Sequence, residues 1–277
     1  MSGAFTVTAL TGIPQVRAGD DLAAQLLAAL ADAGLALADG DVLAVSSKVV
    51  SKALGLTASG HSKEAAVSAE SAGVVAERET GGHVARVVRA VSGPVLAAAG
   101  VDASNTGEHA LLLRLPHDPD AVCRGLHAQL AAGTGVQRFG LVLTDTAGRP
   151  WRVGQTDFAL GSHGVRVLDD LRGGTDMDGR PLDVTARAVA DELAAAADLV
   201  KGKVSGVPAV LVRGLGELVS GDAEMPGARS LVRPVSADWF ALGAQEAVRA
   251  ALGVAPGSAA ADRVGIRPAG GDSLTGR

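Results

Sequence analysis

The octet Asp145-Thr146-Ala147-Gly148-Arg149-Pro150-Trp151-Arg152 holds the densest chemistry in the chain. It follows the β-branched and aliphatic run 139–144, which predicts a buried strand. A carboxylate and a hydroxyl are therefore expected at a strand's C-terminal edge, ahead of a glycine turn and two arginines. Oxygen ligands suit a hard cation such as Mg²⁺ or Mn²⁺, and guanidinium groups suit phosphate or carboxylate. A strand-end turn with a surface ion pair would carry the same residues.

Two further polar segments follow apolar runs, 46–52 and 100–105, and a fourth, 201–206, follows a long helical stretch. Asp102 and Asp145 make the natural pair of metal ligands, because Mg²⁺ is usually held by one or two carboxylates plus phosphate oxygens and water. In a Gly-Val-Asp-Ala-Ser-Asn sequence the aspartate also serves as an Asx-turn former. Lys203-Val204-Ser205 lacks the earlier glycine of a Walker A loop. Lys201-Gly202-Lys203 still supplies cations and free backbone N–H groups for an anion, or simply a solvated helix end complementing the dipole. Lys48 and Lys52 are surface cations by default. Asp191-Glu192 could face a site, although capping and dipole effects explain them as well.

The elements that must position these groups can be read from periodicity. Strands are expected at 5–10, 42–46, 95–99, 139–144, 158–160 and 207–212, with a short apolar run at 111–115. Helices are expected at 22–33 behind Gly19-Asp20-Asp21, at 118–132 with Pro119 in the first turn, and at 186–200 behind Thr185. Residues 47–52 read as an exit loop. Residues 62–92 read as helical with a break at Gly81-Gly82, and 169–183 as a charged loop that is a candidate domain boundary. A short helix is expected after Trp239-Phe240 to about 252, and 255–277 reads as a flexible tail, leaving 1–254 as the working domain.

Bulk properties exclude several classes. Only 2% of residues are aromatic and the net charge is −5, so neither stacking platforms nor a basic footprint favours nucleic acid. No apolar run approaches a membrane span, residues 1–10 show no signal peptide, and one cysteine, Cys123, fits a reducing cytoplasm. The six histidines, at 61, 83, 109, 117, 127 and 163, show no metal-ligand spacing. No Gly-x-Ser-x-Gly elbow occurs. Hydrolytic triads and zinc sites are not expected.

With these segments in hand, the chain resembles the coenzyme F420-0:L-glutamate ligase family. The matching blocks are Gly12-Ile13-Pro14 with Gly19-Asp20-Asp21-Leu22, Gly40-Asp41-Val42-Leu43 with Val50-Ser51-Lys52-Ala53, and Ala99-Gly100-Val101-Asp102-Ala103-Ser104-Asn105. Asp118-Pro119-Asp120, the octet from Asp145, Asp178-Gly179-Arg180, Ala190-Asp191-Glu192-Leu193-Ala194 and Gly206-Val207-Pro208 follow in the same order. Together they cover about residues 5–240.

The resemblance implies an α+β fold, with mixed helices and sheets in two intimately packed subdomains, forming an intertwined homodimer. It implies a GTP-dependent amide ligase that activates a lactyl carboxylate of a deazaflavin precursor as an acyl phosphate, which the amine of L-glutamate then attacks. Further γ-linked glutamates can be added. GTP is the cosubstrate, with Mg²⁺ or Mn²⁺ and K⁺ as a further ion. By position, Asp102, Asp145 and Thr146 look like metal ligands. Ile13, Pro14, Gln15, Val16, Ser47, Lys48, Lys52, Asn105, Lys201, Gly202, Lys203, Val204, Ser205, Gly206 and Val207 look like the nucleotide contacts. Arg149 is added from its chemistry, with Arg152, as a carboxylate or phosphate clamp. Lys203 departs from relatives that carry an acidic second-metal ligand there: either a second ion is held differently, or the ammonium replaces part of its charge. A different metal-dependent carboxylate–amine ligase, a phosphoryl transferase and a non-catalytic nucleotide-binding module are the competing readings.

Overall fold

Val42, Leu43, Ala44 and Val45 are all fully buried, which requires a strand covered on both faces. Leu43 and Val45 pack on one side, and Val42 and Ala44 on the other, following the two-residue alternation of a strand. The computed structural model describes residues 3–58, 62–80, 83–103, 111–222 and 224–238. In chain order the elements are β1 (Thr6–Leu10), α1 (Leu22–Asp32), β2 (Val42–Ser46), α2 (Ser47–Ala53), α3 (Lys63–Ala69), β3 (Ser71–Thr80), β4 (His83–Ala90) and β5 (Val95–Ala97). They continue with α4 (Pro119–Thr134), β6 (Gly140–Arg149), β7 (Arg152–His163), β8 (Asp169–Asp170), β9 (Ala186–Arg187), α5 (Val189–Lys201) and β10 (Ala209–Arg213). The protein is a mixed α and β structure.

The central sheet has the order β1-β10-β2-β6-β7. The pair β2–β6 is parallel and the other pairs are antiparallel. On one face Leu22, Leu26 and Leu30 of α1 and Leu126 and Leu130 of α4 pack on Leu10, Leu43, Leu141, Leu143 and Leu211. Each such leucine contributes about 1.5–3 kcal/mol by leaving water. On the other face Ala190, Leu193 and Ala197 of α5 cover Val42, Val142, Val210 and Val212. A second sheet, β3-β4-β5, packs Val88 and Ala90 against Ala66 and Val67 of α3 and against Ala99 and Val101. The chain divides into two compact units, Met1–Val232 and Arg233–Arg277. Within the second, the described residues hold one short 3₁₀ turn, Val235–Ala237. The charged loop at 169–183 lies inside the first unit. Among the described residues, no helix is long and apolar enough to cross a membrane.

Several sequence expectations hold closely: β1, α1, β2, α4 and β10 fall where periodicity puts them. Asp21 caps α1 by accepting from the N–H of Ala24 at 2.9 Å, and Asp118 caps α4 through Ala121 at 3.0 Å. Four expectations are corrected. Residues 47–53 form a helix, because Val50 and the small Ser47 and Ser51 share a buried face. Residues 71–80 and 83–90 are paired antiparallel strands, in which β-branched pairs such as Val74 with Val88 outweigh the helix propensity of the alanines and glutamates. The run 139–144 continues as a strand to Arg149, so the octet is the end of β6, the turn and the first residue of β7 in a hairpin rather than a strand-end loop. Helix α5 begins at Val189 with Ala188 as its cap, because Ala186 and Arg187 pair with β8 and Thr185 is left outside. The helix expected after Trp239 and the tail at 255–277 lie outside the described residues.

Candidate active site

Strand order brings four distant segments to one end of the central sheet. β2 and β6 run parallel with Ser46 beside Thr144, so the residues that follow them, Ser47-Lys48 and Asp145-Thr146, leave side by side. β10 runs antiparallel to β2, so the residues before Ala209 arrive at that same end, and Ser46 N–H donates to the Pro208 carbonyl at 2.8 Å. β1 is antiparallel to β10 with Leu10 opposite Ala209, which sends residues 13–16 there as well. Helix α5 ends at Lys201 beneath the same edge.

These segments enclose a cavity of about 660 Å³. Its lining includes Ile13, Pro14, Gln15, Val16, Lys48, Lys52, Asp102, Asp145, Thr146, Lys201, Gly202, Lys203, Val204, Gly206 and Val207, nearly the whole set of sequence candidates. Ser47 stands behind it, donating from Oγ to Asp145 Oδ1 at 3.1 Å. Ser205 turns its hydroxyl onto the Lys201 carbonyl and does not line the cavity. Asn105 lies outside the described residues. Arg149 does not line this cavity; it is exposed near the hairpin tip and donates to the Val153 carbonyl at 3.1 Å.

Asp102 reaches the cavity from the segment that follows β5, held by an isolated bridge to Leu113. Its N–H donates to the Leu113 carbonyl at 3.1 Å and its carbonyl accepts from Leu113 N–H at 2.8 Å. The chain enters it through Ala98 and Ala99, both with φ of 53°, a left-handed conformation that costs an L-residue about 1–2 kcal/mol. Such strain persists only where surrounding contacts over-determine it, as they do here, with Ala99 and Val101 buried. The Asp102 carboxylate meets Lys48 Nζ at 2.6 Å.

Negative charge is concentrated at this end of the cavity. Burial is the main cause that pushes the Asp145 carboxyl up to about 6, and the negative Asp157 and Asp102 add to it, against hydrogen bonds from Thr146 and Ser47. Lys52 is held below its ordinary value by burial and by the charge of Lys48. Lys201, read from sequence as a loop cation, is buried and turned inward, donating to Thr144 Oγ1 and to Asp157 Oδ2.

Sequence reasoning missed Asp157, Thr144 and Asp198, which also line the cavity. Thr146 donates from Oγ1 to Asp157 Oδ1 at 2.7 Å. A hydroxyl has one proton to give, so this bond turns the remaining lone pairs of Thr146 outward as acceptors only. The turn at Pro150-Trp151 alone would set Gln155 opposite Thr146; a register shift between Gly148 and Arg149 moves Asp157 there instead, and no local pattern signals that shift.

The chain that carries this site is similar in sequence to known ligases. Residues 12–214 match the model of the F420-0:gamma-glutamyl ligase family, a span that contains every candidate residue named above, and the chain belongs to that family. It is 41% identical over 253 residues to the coenzyme F420:L-glutamate ligase of Halobacterium salinarum, covering 83% of this chain and 93% of the relative. It is 38% identical over 254 residues to that of Methanothermobacter thermautotrophicus, covering 85% and 98%. With the protein of the same name from Archaeoglobus fulgidus it shares 40% identity over 229 residues, covering 77% and 88%.

Proposed function

We propose that the chain joins L-glutamate to the lactyl carboxylate of coenzyme F420-0, at the expense of GTP and through an acyl phosphate, and adds further glutamates by γ-linkage. The observation that carries this reading is the convergence of Asp102 and Asp145 on one cavity with Lys48, Lys52 and the 202–207 backbone. A carboxylate is a poor electrophile until one of its oxygens becomes a phosphate leaving group. Its oxygen attacks the γ-phosphorus and GDP departs; the ammonium gives a proton to solvent, the free amine nitrogen attacks the carbonyl carbon, phosphate leaves with the C–O electron pair, and the nitrogen loses its second proton to solvent. Nothing in this sequence needs a protein nucleophile; orientation and charge complementarity suffice.

Asp102, Asp145 and Thr146 suit Mg²⁺ or Mn²⁺, being hard oxygen donors in a site where burial first, and then the negative Asp157 and Asp102, raise Asp145. Among the described residues, no three His, Cys, Asp or Glu side chains form a ready cluster, so phosphate oxygens and water would complete the shell. A divalent cation there supplies neutralisation of the charge that builds on the transferring phosphoryl group. Lys48, Lys52 and Lys203 offer ammonium groups to the phosphates, and Ile13 to Val16 an apolar edge to the nucleoside. K⁺ as a further ion, an intertwined homodimer of two-subdomain protomers and a cytoplasmic setting belong to the same reading.

Mass spectrometry of the products of purified protein, GTP, Mn²⁺, L-glutamate and acceptor tests it. Acceptor heavier by one or more glutamyl residues, with matching GDP, is expected. GDP release that needs neither glutamate nor acceptor would replace the ligase with a phosphohydrolase.

A further inference from the structure

A second cavity, of about 610 Å³, lies along the outer edge of β7 between β5 and the first turn of α5. Leu96, Ala147, Arg149, Thr156, Phe158 and Asp191 are among its walls. It shares one lining residue, Asp157, with the cavity of the two aspartates. Ala147 stands two residues beyond Asp145 on β6, and their partners Thr156 and Phe158 are likewise alternate residues of β7. Alternate residues of a strand share a face and lie about 7 Å apart. Ala147, Thr156 and Phe158 thus wall the cavity from the face that carries the Asp145 carboxylate, while Asp191 and Glu192 wall it from the α5 face, so the cavity wraps the open edge of β7.

It contains two opposite charges that do not neutralise each other. The Arg149 guanidinium has five N–H donors, and among the described residues it makes one hydrogen bond, to the Val153 carbonyl. Asp191 accepts from the Ala159 N–H through Oδ1 at 2.9 Å, and its second oxygen accepts from no described residue. Glu192, beside it, is engaged by Arg187 at 2.8 Å. A purely anionic ligand would meet Asp191 and Glu192, and a purely cationic one would meet Arg149. A zwitterion satisfies both.

We propose that this cavity is the amine-substrate site, and that it takes an α-amino acid with its α-carboxylate on Arg149 and its ammonium on Asp191. The identity of the amino acid as glutamate rests on the ligase reading; the preference for a zwitterion rests on the cavity alone. Burial, which holds the Asp191 carboxyl above its ordinary value, makes a neighbouring cation more favourable to it. Arg149 thereby acquires a role separate from the nucleotide.

Calorimetric titration of L-glutamate into the full chain with GDP and Mn²⁺ tests the site without turnover. One saturable site is expected, weakened at least tenfold in Arg149→Ala and in Asp191→Asn, the latter keeping an acceptor for the Ala159 N–H. GDP affinity should stay within twofold in both, which also reports that they are folded. Where ligation is measured, Arg149→Ala should depress kcat/KM for L-glutamate but not for γ-aminobutyrate, which lacks the α-carboxylate. No glutamate binding by the unaltered protein, unchanged binding in Arg149→Ala, or equal losses for both amines would overturn the assignment. Glutamate binding that depends on Arg149 without any ligation would leave this site standing and remove the ligase reading instead.

Discussion

Lys201 Nζ lies 2.5 Å from Asp157 Oδ2, with 4% and 5% of the two side chains exposed. The pair joins the end of α5 to β7, and its outer oxygen holds the Thr146 hydroxyl. Two ions taken out of water this far are costly to separate: removing one partner of a buried pair typically costs about 3–5 kcal/mol, whereas replacing both with apolar groups can be near neutral. Asp157→Leu and Lys201→Met are therefore expected to lose about that much singly, and the double variant to recover most of it. Denaturant unfolding of the four proteins measures the coupling. Single losses below 1 kcal/mol would mean that the pair is not structural.

Asp145 gives the site a pH signature. Its carboxyl is raised from 3.8 to about 6 in the folded, ligand-free protein, chiefly by burial. The folded state then binds more protons than the unfolded one between these values, so the contribution of this group to stability falls as pH rises from about 4 to 6 and is level above. Asp145→Asn should flatten that part of the melting-temperature profile in EDTA and melt above the parent protein at pH 7.5. If Asp145 holds Mn²⁺ as proposed, binding needs the carboxylate, so affinity should drop about tenfold per pH unit below 6 and hold steady above it. A profile identical in parent and variant would show that Asp145 titrates elsewhere.

What the sequence made legible follows from the range of each signal. Val42–Ser46, Leu22–Asp32 and Pro119–Thr134 carry their period, cap or proline within a few residues of themselves, so they are read correctly. The paired strands 71–80 and 83–90 were misread because Ala and Glu look helical locally, while their stability comes from cross-strand partners such as Val74 and Val88. Asp102 and Asp145 were legible as oxygen ligands by residue type and by family resemblance. Their shared cavity depends on a parallel β2–β6 pairing and on the bridge of Asp102 to Leu113, neither of which any local pattern encodes. Asp157 was missed for the same reason, and Lys201 was read as a loop cation because helix α5 runs one residue further than its periodicity indicated.

Lys48 and Asp102 are paired at 2.6 Å, yet the proposed function gives them opposite tasks, phosphate for the lysine and a cation for the aspartate. Lys48→Met should raise the KM for GTP by about tenfold or more, the weight of a charged hydrogen bond of roughly 1.5–3 kcal/mol, without weakening Mn²⁺ binding. Asp102→Asn should abolish ligation and Mn²⁺ binding while the far-ultraviolet spectrum is retained. If Lys48→Met lost Mn²⁺ affinity as severely as Asp102→Asn, the lysine would be holding the aspartate in place rather than reading the nucleotide.

The packing of β7 on α4 can be tested with two glycines of opposite expectation. A Cβ on Gly161 would come within 2.5 Å of the Pro119 carbonyl carbon and 2.6 Å of its oxygen, backbone atoms in the first turn of α4 that cannot swing aside. Gly161→Ala must therefore part β7 from the helix, at a cost of about 1–3 kcal/mol or more. The carboxylate of Asp120, next in that turn, would feel the same shift, because Oδ1 accepts from the Ser162 N–H at 2.9 Å. Gly125, within the same helix, has nothing within 4 Å of its would-be Cβ. There Ala relieves the backbone-entropy cost of glycine in a helix, so Gly125→Ala should stabilise by about 0.5–1 kcal/mol. Thermal melts of the two variants should move in opposite directions from the parent, and a Gly161→Ala protein that melts with the parent would show that β7 does not pack against Pro119 as closely as this.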